Sequence, residues 1–171
     1  SASLTAPNGQ AQQALRLATF ARAGSAAHAS AYAEAHGTGT ALGDPIETGS
    51  YAAVASVHGY ESDALGSVKA NVGHSEPAAG TTGLLKLVLH LELSRAAANA
   101  QLRVLNKMVG TALGEVDTAL YVQRAQLNIA STSGNVSSFG YGGTIVHTVL
   151  ARGAALLPIG GGVARSMRLG C

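Results

Sequence analysis

A chain of 171 residues is long enough for one compact domain or for a piece of a larger one. Its composition, with 47% hydrophobic residues, 12% charged residues and 22 glycines, is globular and favours closely packed helices against a sheet over a disordered chain. The net charge of +2 comes from arginines that follow Leu150, and the rest of the chain is nearly neutral. Without a basic stripe and interleaved aromatic residues, the sequence argues against nucleic-acid binding.

The only cysteine, Cys171, is the last residue, so the chain cannot form an internal disulfide, as expected in a reducing compartment. No apolar run reaches the roughly 18 residues that a membrane span needs, and the opening segment SASLTAPNGQ has no signal-peptide core. We therefore expect a cytoplasmic location, with an organellar one left open. Because the chain does not open on methionine, we also expect a fragment of a longer reading frame.

The first third of the chain predicts a helix, a strand and a second helix. Alanine and leucine residues at helical spacing predict a helix over Gln10–Ala23. The short apolar run Ser30–Ala35 predicts a strand, and the glycine-rich segment His36–Gly43 predicts a loop. The next helix is expected over Asp44–His58, with Gly59 ending it.

The start of this second helix matches a capping box. Asp44 can accept a hydrogen bond from the free amides of the first turn, and Pro45 suits the first helical position because its missing N–H costs nothing there. Glu47 stands three residues after Asp44, where it can reach back to the cap amide. Both carboxylates are therefore expected to be occupied by the helix terminus.

A second strand, loop and helix follow in the same order. Leu65–Ala70 is a strand candidate, Asn71–Pro77 is a predicted loop, and Ala78–Leu93 is a strongly apolar predicted helix. Repetition of strand, loop and helix indicates an α/β fold built in layers. In such folds the loops that leave the carboxyl ends of strands carry the chemistry.

The last part of the chain has a weaker pattern until its final hairpin. Residues 94–130 are expected to be mostly loop with short strands. Asn135–Ser138 and Thr144–Leu150 predict two strands joined by the tight glycine-rich segment FGYGG. We expect one folded unit over residues 1–150 and a disordered, glycine-rich basic tail over residues 151–171.

Two strand-ending loops each place one histidine beside glycines, which let a substrate approach the backbone closely. These are His36 in HGTGT and His74 in KANVGH. Two neutral imidazoles in one pocket can each donate an N–H to a developing oxyanion or enolate, and the ammonium of Lys69 would add to the field. Each residue also has a simpler interpretation, because loop histidines are often structural and Lys69 could be a solvated surface charge.

The same loops allow further interpretations. Thr38 and Thr40 could hydrogen-bond a flexible polar ligand arm, or they could bond their own turn. The FGYGG segment, taken alone, is a hairpin connection. His36 and His74 could bind zinc, but neither is in a paired motif such as HExxH. The segment GTGTALGD lacks the lysine and the spacing of a phosphate-binding loop.

Four motif segments occur in order between Leu4 and about Leu150. They are LTAPNG (Leu4–Gly9), EAHGTGTALGDPIE (Glu34–Glu47), GSVKANVGHSEPAAG (Gly66–Gly80) and SSFGYGGT (Ser137–Thr144). In this order and spacing they resemble the ketosynthase domains of type I polyketide synthases, in the thiolase-like superfamily. The resemblance implies the C-terminal half of a β-ketoacyl synthase with a thiolase-like layered α-β-α fold.

The resemblance implies a decarboxylative Claisen condensation between malonyl on an acyl carrier protein and an acyl group on a cysteine. His36 and His74 would help decarboxylation and stabilise the enolate and the tetrahedral oxyanion. Lys69 would support the hydrogen bonding of the active site. Thr38 and Thr40 would contact the phosphopantetheine arm of the carrier protein, and no cofactor would bind directly.

The resemblance also implies a substrate-binding role for the glycine-rich turn beside the cysteine. Here the turn contains Phe139, Gly140, Tyr141 and Gly142, with Tyr141 in a position often held by phenylalanine. The intact enzyme would be a homodimer that works with acyl carrier protein and with malonyl and acyl thioesters.

The chain departs from the family pattern in three ways, one of which is that the tail after Leu150 matches no segment of the family. The family's nucleophilic cysteine lies in a segment like DTACSSS, upstream of every matched segment, and this chain contains none; Cys171 has a different context. We therefore expect the chain to require the missing N-terminal half of its domain and to be inactive alone. In addition, Ile145 stands where the family motif GTNAH has asparagine, which leaves the local hydrogen bonding open.

Two other functions compete with this one. A non-condensing ketosynthase-like protein would bind carrier-bound acyl chains without joining them. A small hydrolase could use His36 together with Asp44. The retained histidines and Lys69 favour the condensing enzyme over the first of these.

Overall fold

A computed structural model describes residues 6–24, 30–59, 64–128, 133–153 and 167–169 of the chain. Helices and strands alternate through the first half, and a hairpin closes the second. In chain order the elements are α1 (Gly9–Ala23), β1 (Ser30–Glu34), α2 (Gly43–His58), β2 (Leu65–Gly66), α3 (Lys69–Val72), a 3-10 turn (Glu76–Ala78), α4 (Ala79–Leu93), β3 (Arg95–Ala96), α5 (Lys107–Leu113), β4 (Ala125–Gln126), β5 (Ser133–Phe139), β6 (Ile145–Arg152) and β7 (Met167–Leu169).

The main sheet has five strands in the order β2-β1-β5-β6-β7. Strand β1 is parallel to both β2 and β5, whereas β6 is antiparallel to β5 and to β7. Strands β3 and β4 form a separate antiparallel pair. Because β2, β1 and β5 run in the same direction, the segments that follow Glu34, Gly66 and Phe139 leave the sheet at one edge.

Helices cover both faces of this sheet. On one face α4 packs against β5, where a Cβ on Gly134 would meet Leu87 at 2.6 Å. On the other face α1 packs against β6, and its Arg16 donates a hydrogen bond to Ser137 of β5. Since side chains alternate along a strand, Gly134 and Ser137 face opposite sides. The layered α/β architecture expected from the sequence is confirmed.

The hydrophobic core follows the same division. The cluster between the sheet and α4 includes Tyr32, Leu87 and Val136, all of them buried. A second cluster joins α1, α2 and β6 through Phe20 and Val54, with Val149 from β6 between them. Burying a large apolar side chain contributes about 1.5–3 kcal/mol, so these two clusters fix the helices on the sheet.

Most predicted elements are confirmed to within a few residues, including α1, β1, α4 and the final hairpin. The end of α2 at His58 is also confirmed, with Gly59 in the left-handed conformation. The prediction of a capping box is wrong. Helix α2 begins at Gly43, its cap residue Leu42 makes no side-chain cap bond, and the carboxylates of Asp44 and Glu47 bind the preceding loop instead.

The strand predicted over Leu65–Ala70 is much shorter than expected. It ends at Gly66, because the next two backbone amides donate to side chains rather than to a neighbouring strand: Ser67 to Asn99 and Val68 to Glu34. Helix α3 then takes up the start of the predicted loop Asn71–Pro77. The short helix α5 also lies in a region where the sequence predicts only loop and strands.

The predicted tail is partly in the sheet. Ala151 and Arg152 end β6, and the backbone of Met167–Leu169 pairs with that strand. Residues 154–166 and 170–171, including Cys171, lie outside the described residues, so the expected disorder stays a prediction for them. None of the helices described is both long and apolar enough to cross a membrane.

Three leucines on α4 face solvent in the described structure. Leu85, Leu89 and Leu93 recur at four-residue spacing and are 57%, 57% and 64% exposed. This spacing places them on one face of the helix, where they border a cavity of about 440 Å³. A contiguous exposed apolar surface of this kind promotes association.

We expect Leu85→Lys/Leu89→Lys to self-associate less than the wild-type chain, because the added charges interrupt the apolar stripe. Size-exclusion chromatography with light scattering, at equal protein concentrations, measures the change. Val57→Lys/Val122→Lys adds the same charge at exposed positions outside α4 and is the matched control. An equal effect of the two double variants would contradict the role of the stripe.

Candidate active site

Two carboxylates from α2 hold the loop that follows β1. The buried Glu47 accepts hydrogen bonds from the backbone N–H of His36 at 2.7 Å and of Gly37 at 2.9 Å, one on each oxygen. Asp44 accepts from the N–H of Gly39, with both oxygens at 3.1 Å. These unpaired loop amides compete successfully with the helix terminus for the carboxylates, which explains why the capping prediction fails.

The loop after β1 also touches the loop after β2. Gly37 has a φ of +43°, and a Cβ at this position would lie 2.7 Å from Cβ of Ser67. The hydroxyl of Ser67 donates to the carbonyl oxygen of Gly37 at 3.2 Å. Glycine is required here by both its backbone conformation and the close approach of the second loop.

The two histidines predicted from the sequence lie together. The ring centroids of His36 and His74 are 5.7 Å apart, with the ring planes at 88°. Nδ1 of His36 accepts from the N–H of Phe139 at 3.3 Å, and Nδ1 of His74 accepts from the N–H of Glu76 at 3.1 Å. A neutral imidazole that accepts at Nδ1 carries its hydrogen on Nε2, so each ring keeps one N–H donor for a ligand.

The environment of His36 favours its neutral form. Burial is the main effect, followed by the charges of Lys69 and His74, and together they lower the pKa of His36 to about 4. The ring also packs against Phe139, with 5.2 Å between centroids. At neutral pH His36 is therefore a hydrogen-bond donor and acceptor rather than a cation.

Lys69 is the first residue of α3 and lies half-buried near both loops. Burial lowers its pKa, and the carboxylates of Glu34, Glu47 and Asp44 oppose this shift. Lys69 and His74 line the same cavity of about 550 Å³. The alternative of a fully solvated surface lysine does not agree with this position.

The two predicted threonines differ in their surroundings. Thr38 lines the cavity with Lys69 and His74. The hydroxyl of Thr40 is exposed, accepts from the N–H of Gly43 at 3.1 Å and lies 3.4 Å from the hydroxyl of Thr38. Thr40 is thus partly engaged by the start of α2, whereas Thr38 is better placed for a ligand.

The FGYGG segment forms the turn between β5 and β6. Only Phe139 of this segment contacts a predicted catalytic residue, His36. Gly140 donates its N–H to the carbonyl oxygen of Thr144 at 2.7 Å, and the side chain of Tyr141 is 87% exposed. In this structure Gly140, Tyr141 and Gly142 do not line the cavity, so a substrate-binding role for them stays a prediction.

Several polar residues beneath the site were not singled out from the sequence. Glu34 and Lys86 form a buried ion pair at 2.8 Å, and the buried Arg16 acts electrostatically on Glu47. One signal was available: each of Glu34 and Lys86 is a charged residue inside a predicted apolar strand or helix. Among the described residues, no group of three or more histidine, cysteine, aspartate or glutamate side chains is placed to hold a metal ion.

Comparison with protein families identifies this chain. The model of the C-terminal domain of β-ketoacyl synthases matches residues 1–103, which is more than half of the sequence. The chain belongs to the β-ketoacyl synthase family. Within it, the chain is the C-terminal part of a ketosynthase of the type I polyketide-synthase kind, as the four motif segments predict.

Curated relatives are polyketide synthases. The ketosynthase chain is 36% identical over 152 residues to a highly reducing polyketide synthase of Aspergillus niger. It is 38% identical over 166 residues to a phenolphthiocerol/phthiocerol polyketide synthase of Mycobacterium tuberculosis. These matches cover 86% and 93% of this chain but only 6% and 10% of the relatives.

Solved ketosynthases share the fold. Ketosynthase twelve of the bacillaene polyketide synthase from Bacillus amyloliquefaciens matches with a TM-score of 0.79 and 29% identity, over 91% of this chain and 28% of that one. An oxazolomycin ketosynthase domain from Streptomyces albus matches with a TM-score of 0.78 and 30% identity, over 92% and 28%. The predicted thiolase-like α-β-α fold is confirmed, and the chain spans a little over a quarter of these ketosynthases.

Glu47 is expected to contribute more to stability than Asp44, because its carboxylate is buried whereas that of Asp44 is partly exposed. Glu47→Ala should lower the free energy of unfolding by about 3 kcal/mol, since it also leaves Arg16 without its carboxylate. Asp44→Ala, the matched control, should cost about 1 kcal/mol. Urea denaturation followed by circular dichroism measures both, and equal losses would contradict this assignment.

The pH dependence of His36 provides a second prediction. Its ring should titrate near pH 4 by NMR, and Lys69→Met should move the midpoint upward because a neighbouring cation is removed. Since its pKa is lower in the folded chain than in the unfolded one, His36 favours unfolding as the pH falls from about 6.5 toward about 4. Lys107→Met, at an exposed position on α5, should leave the midpoint unchanged; a wild-type midpoint near 6.5 would overturn the prediction.

Proposed function

We propose that this chain supplies the two-histidine part of a ketosynthase active site, which joins a malonyl group on acyl carrier protein to a cysteine-bound acyl group. The observation that carries the proposal is the pair of imidazoles of His36 and His74, 5.7 Å apart, each with Nδ1 occupied by a backbone N–H. His74 lines the cavity of about 550 Å³, and His36 lies outside that lining against the His74 ring. Two Nε2–H donors this close to each other suit an oxygen that gains negative charge.

The reaction has two stages in which such donors act. First, the malonyl thioester loses CO₂, and the electron pair of the broken C–C bond becomes an enolate whose oxygen accepts from His36 and His74. Second, the enolate carbon attacks the acyl thioester, a tetrahedral oxyanion forms, and the cysteine leaves as a thiolate. The products are a β-ketoacyl thioester on the carrier protein, CO₂ and the free cysteine.

Lys69 and Thr38 have supporting roles in this proposal. The charge of the Lys69 ammonium favours the neutral form of the His36 ring and a developing anion. Thr38 lines the cavity, which supports the proposal that it hydrogen-bonds the phosphopantetheine arm that carries the substrate. No directly bound cofactor is required, because the thioester is the activated group.

The nucleophilic cysteine must come from outside the matched segments. The chain spans 28% of the solved ketosynthases with which it aligns, and Cys171 does not lie in a family nucleophile motif. Histidine donors without a thiolate cannot form the acyl-enzyme. We propose that the chain acts only together with the N-terminal half of its ketosynthase, as a homodimer, and is inactive alone.

A condensation assay tests the proposal. Malonyl-carrier protein and an acyl thioester are incubated with the chain alone, and with the chain joined to the N-terminal half of its ketosynthase. We expect product only from the joined protein, with His36→Ala and His74→Ala each lowering kcat by about 10²–10³-fold, the usual cost of losing an oxyanion donor. Thr111→Ala, on an exposed face of α5, is the control and should keep full activity.

Two results would contradict the proposal. Product from the chain alone would show that the missing cysteine is not needed. Acylation of the joined protein without release of CO₂, in wild type and variants alike, would instead identify a protein that binds carrier-bound acyl chains.

A further inference from the structure

A buried ion pair lies directly beneath the two histidine loops. Nζ of Lys86 is 2.8 Å from Oε2 of Glu34, and the two side chains are 9% and 1% exposed. Glu34 is the last residue of β1, two positions before His36. Lys86 is on α4, the helix that begins shortly after His74. The pair therefore connects β1, which precedes the His36 loop, to α4, which follows the His74 loop.

The second oxygen of Glu34 extends this connection to the lysine of the site. Oε1 accepts a hydrogen bond from the backbone N–H of Val68, the residue before Lys69. Because β2 ends at Gly66, the N–H of Val68 makes no hydrogen bond within the sheet and donates to the carboxylate of Glu34 instead. One carboxylate thus fixes where α3, and with it Lys69, begins.

Lys86 is held on its other side by an aromatic residue of β1. Its ammonium donates to the hydroxyl of Tyr32 at 2.9 Å, and the Tyr32 ring contacts the His90 ring edge-on at 4.5 Å. Nε2 of His90 accepts the N–H of Ala97 at 3.0 Å. Lys86 thus donates to both Tyr32 and Glu34, and these two hydrogen bonds hold the ion pair in one geometry.

The pair also has an electrostatic effect on the site. Burial raises the pKa of Glu34, and the ammonium of Lys86 is the strongest influence that opposes the rise. Glu34 in turn is the carboxylate that most strongly opposes the lowering of the Lys69 pKa by burial. Without Glu34, the ammonium groups of Lys69 and Lys86 would act on each other with less compensating charge.

We propose that Glu34 and Lys86 are positioning residues of the ketosynthase: the pair fixes the start of α3 relative to the His36 loop and balances the charge of the Lys69 ammonium. The proposal rests on the proposed condensation activity for its kinetic consequences, but the effect on Lys69 does not. The two residues do not line the cavity of about 550 Å³ beside Lys69, so they act through the Lys69 segment rather than on the substrate.

Three variants separate positioning from simple stabilisation. Glu34→Gln keeps an oxygen for the N–H of Val68 but removes the charge. Lys86→Met removes the opposite charge with a side chain of similar length. The double variant Glu34→Gln/Lys86→Met leaves no unpaired buried charge, so it should be more stable than either single variant.

The first readout is the titration of Lys69 in the full 171-residue chain, followed by NMR of labelled lysine Cε. We expect Lys69 to titrate at lower pH in Glu34→Gln than in wild type, because its strongest compensating carboxylate is gone, and at higher pH in Lys86→Met, because an opposing cation is gone. An unchanged Lys69 titration in both folded single variants would overturn the electrostatic part of the proposal.

The second readout is kinetic and uses the chain joined to its N-terminal half. We expect the double variant to fold with near wild-type stability, yet to lose about 10- to 100-fold in kcat with KM changed less than about twofold, because the reacting groups are misplaced or wrongly charged after substrate binds. Full kcat in the stable double variant would show a purely structural pair and sink the proposal. If the wild-type joined protein makes no product, the proposed function fails, and the Lys69 titration still decides whether the pair acts on the site.

Discussion

The carboxylate of Glu47 is the contact on which the arrangement of the site depends. This side chain belongs to α2 and accepts hydrogen bonds from the backbone N–H groups of His36 and Gly37 in the loop after β1. A glycine with positive φ, pressed against Ser67 of the neighbouring loop, cannot hold that geometry by itself. A buried acceptor with two donors sets the direction of the His36 ring before any substrate arrives, which is the form of preorganisation that electrostatic catalysis requires.

Several charged groups near this contact are buried or half-buried. Arg16 acts on Glu47 from one side, while Lys69 and Glu34 act on each other from the other side. The imidazole of His36, placed among them, is held in its neutral form. Arg16 and Glu47, like Glu34 and Lys69, partly compensate each other's charge near a neutral His36. His36 therefore carries no permanent positive charge at neutral pH.

Sequence patterns predicted the layers, the hairpin and the convergence of His36 and His74, because apolar periodicity and glycine-flanked loops are local signals. The prediction of a capping box was wrong because a carboxylate at the start of a helix accepts from the N–H groups that are nearest in space. Sequence spacing does not show that the loop N–H groups are the nearest ones. The length of the strand at Leu65–Gly66 was overestimated for the same reason: the N–H of Val68 donates to Glu34 rather than to a neighbouring strand. Pairing between Glu34 and Lys86 spans distant parts of the chain, so only the fold reveals it.

The common edge at which β1, β2 and β5 end has a consequence for how such a sequence can change through evolution. Along β1 each residue alternates between the two faces, so deleting one residue would turn Glu34 away from Lys86 and displace the loop behind it. Substitutions that preserve side-chain direction are tolerable there, but changes of length are not. Ketosynthases of this kind should therefore remain constant in length at this end of the sheet.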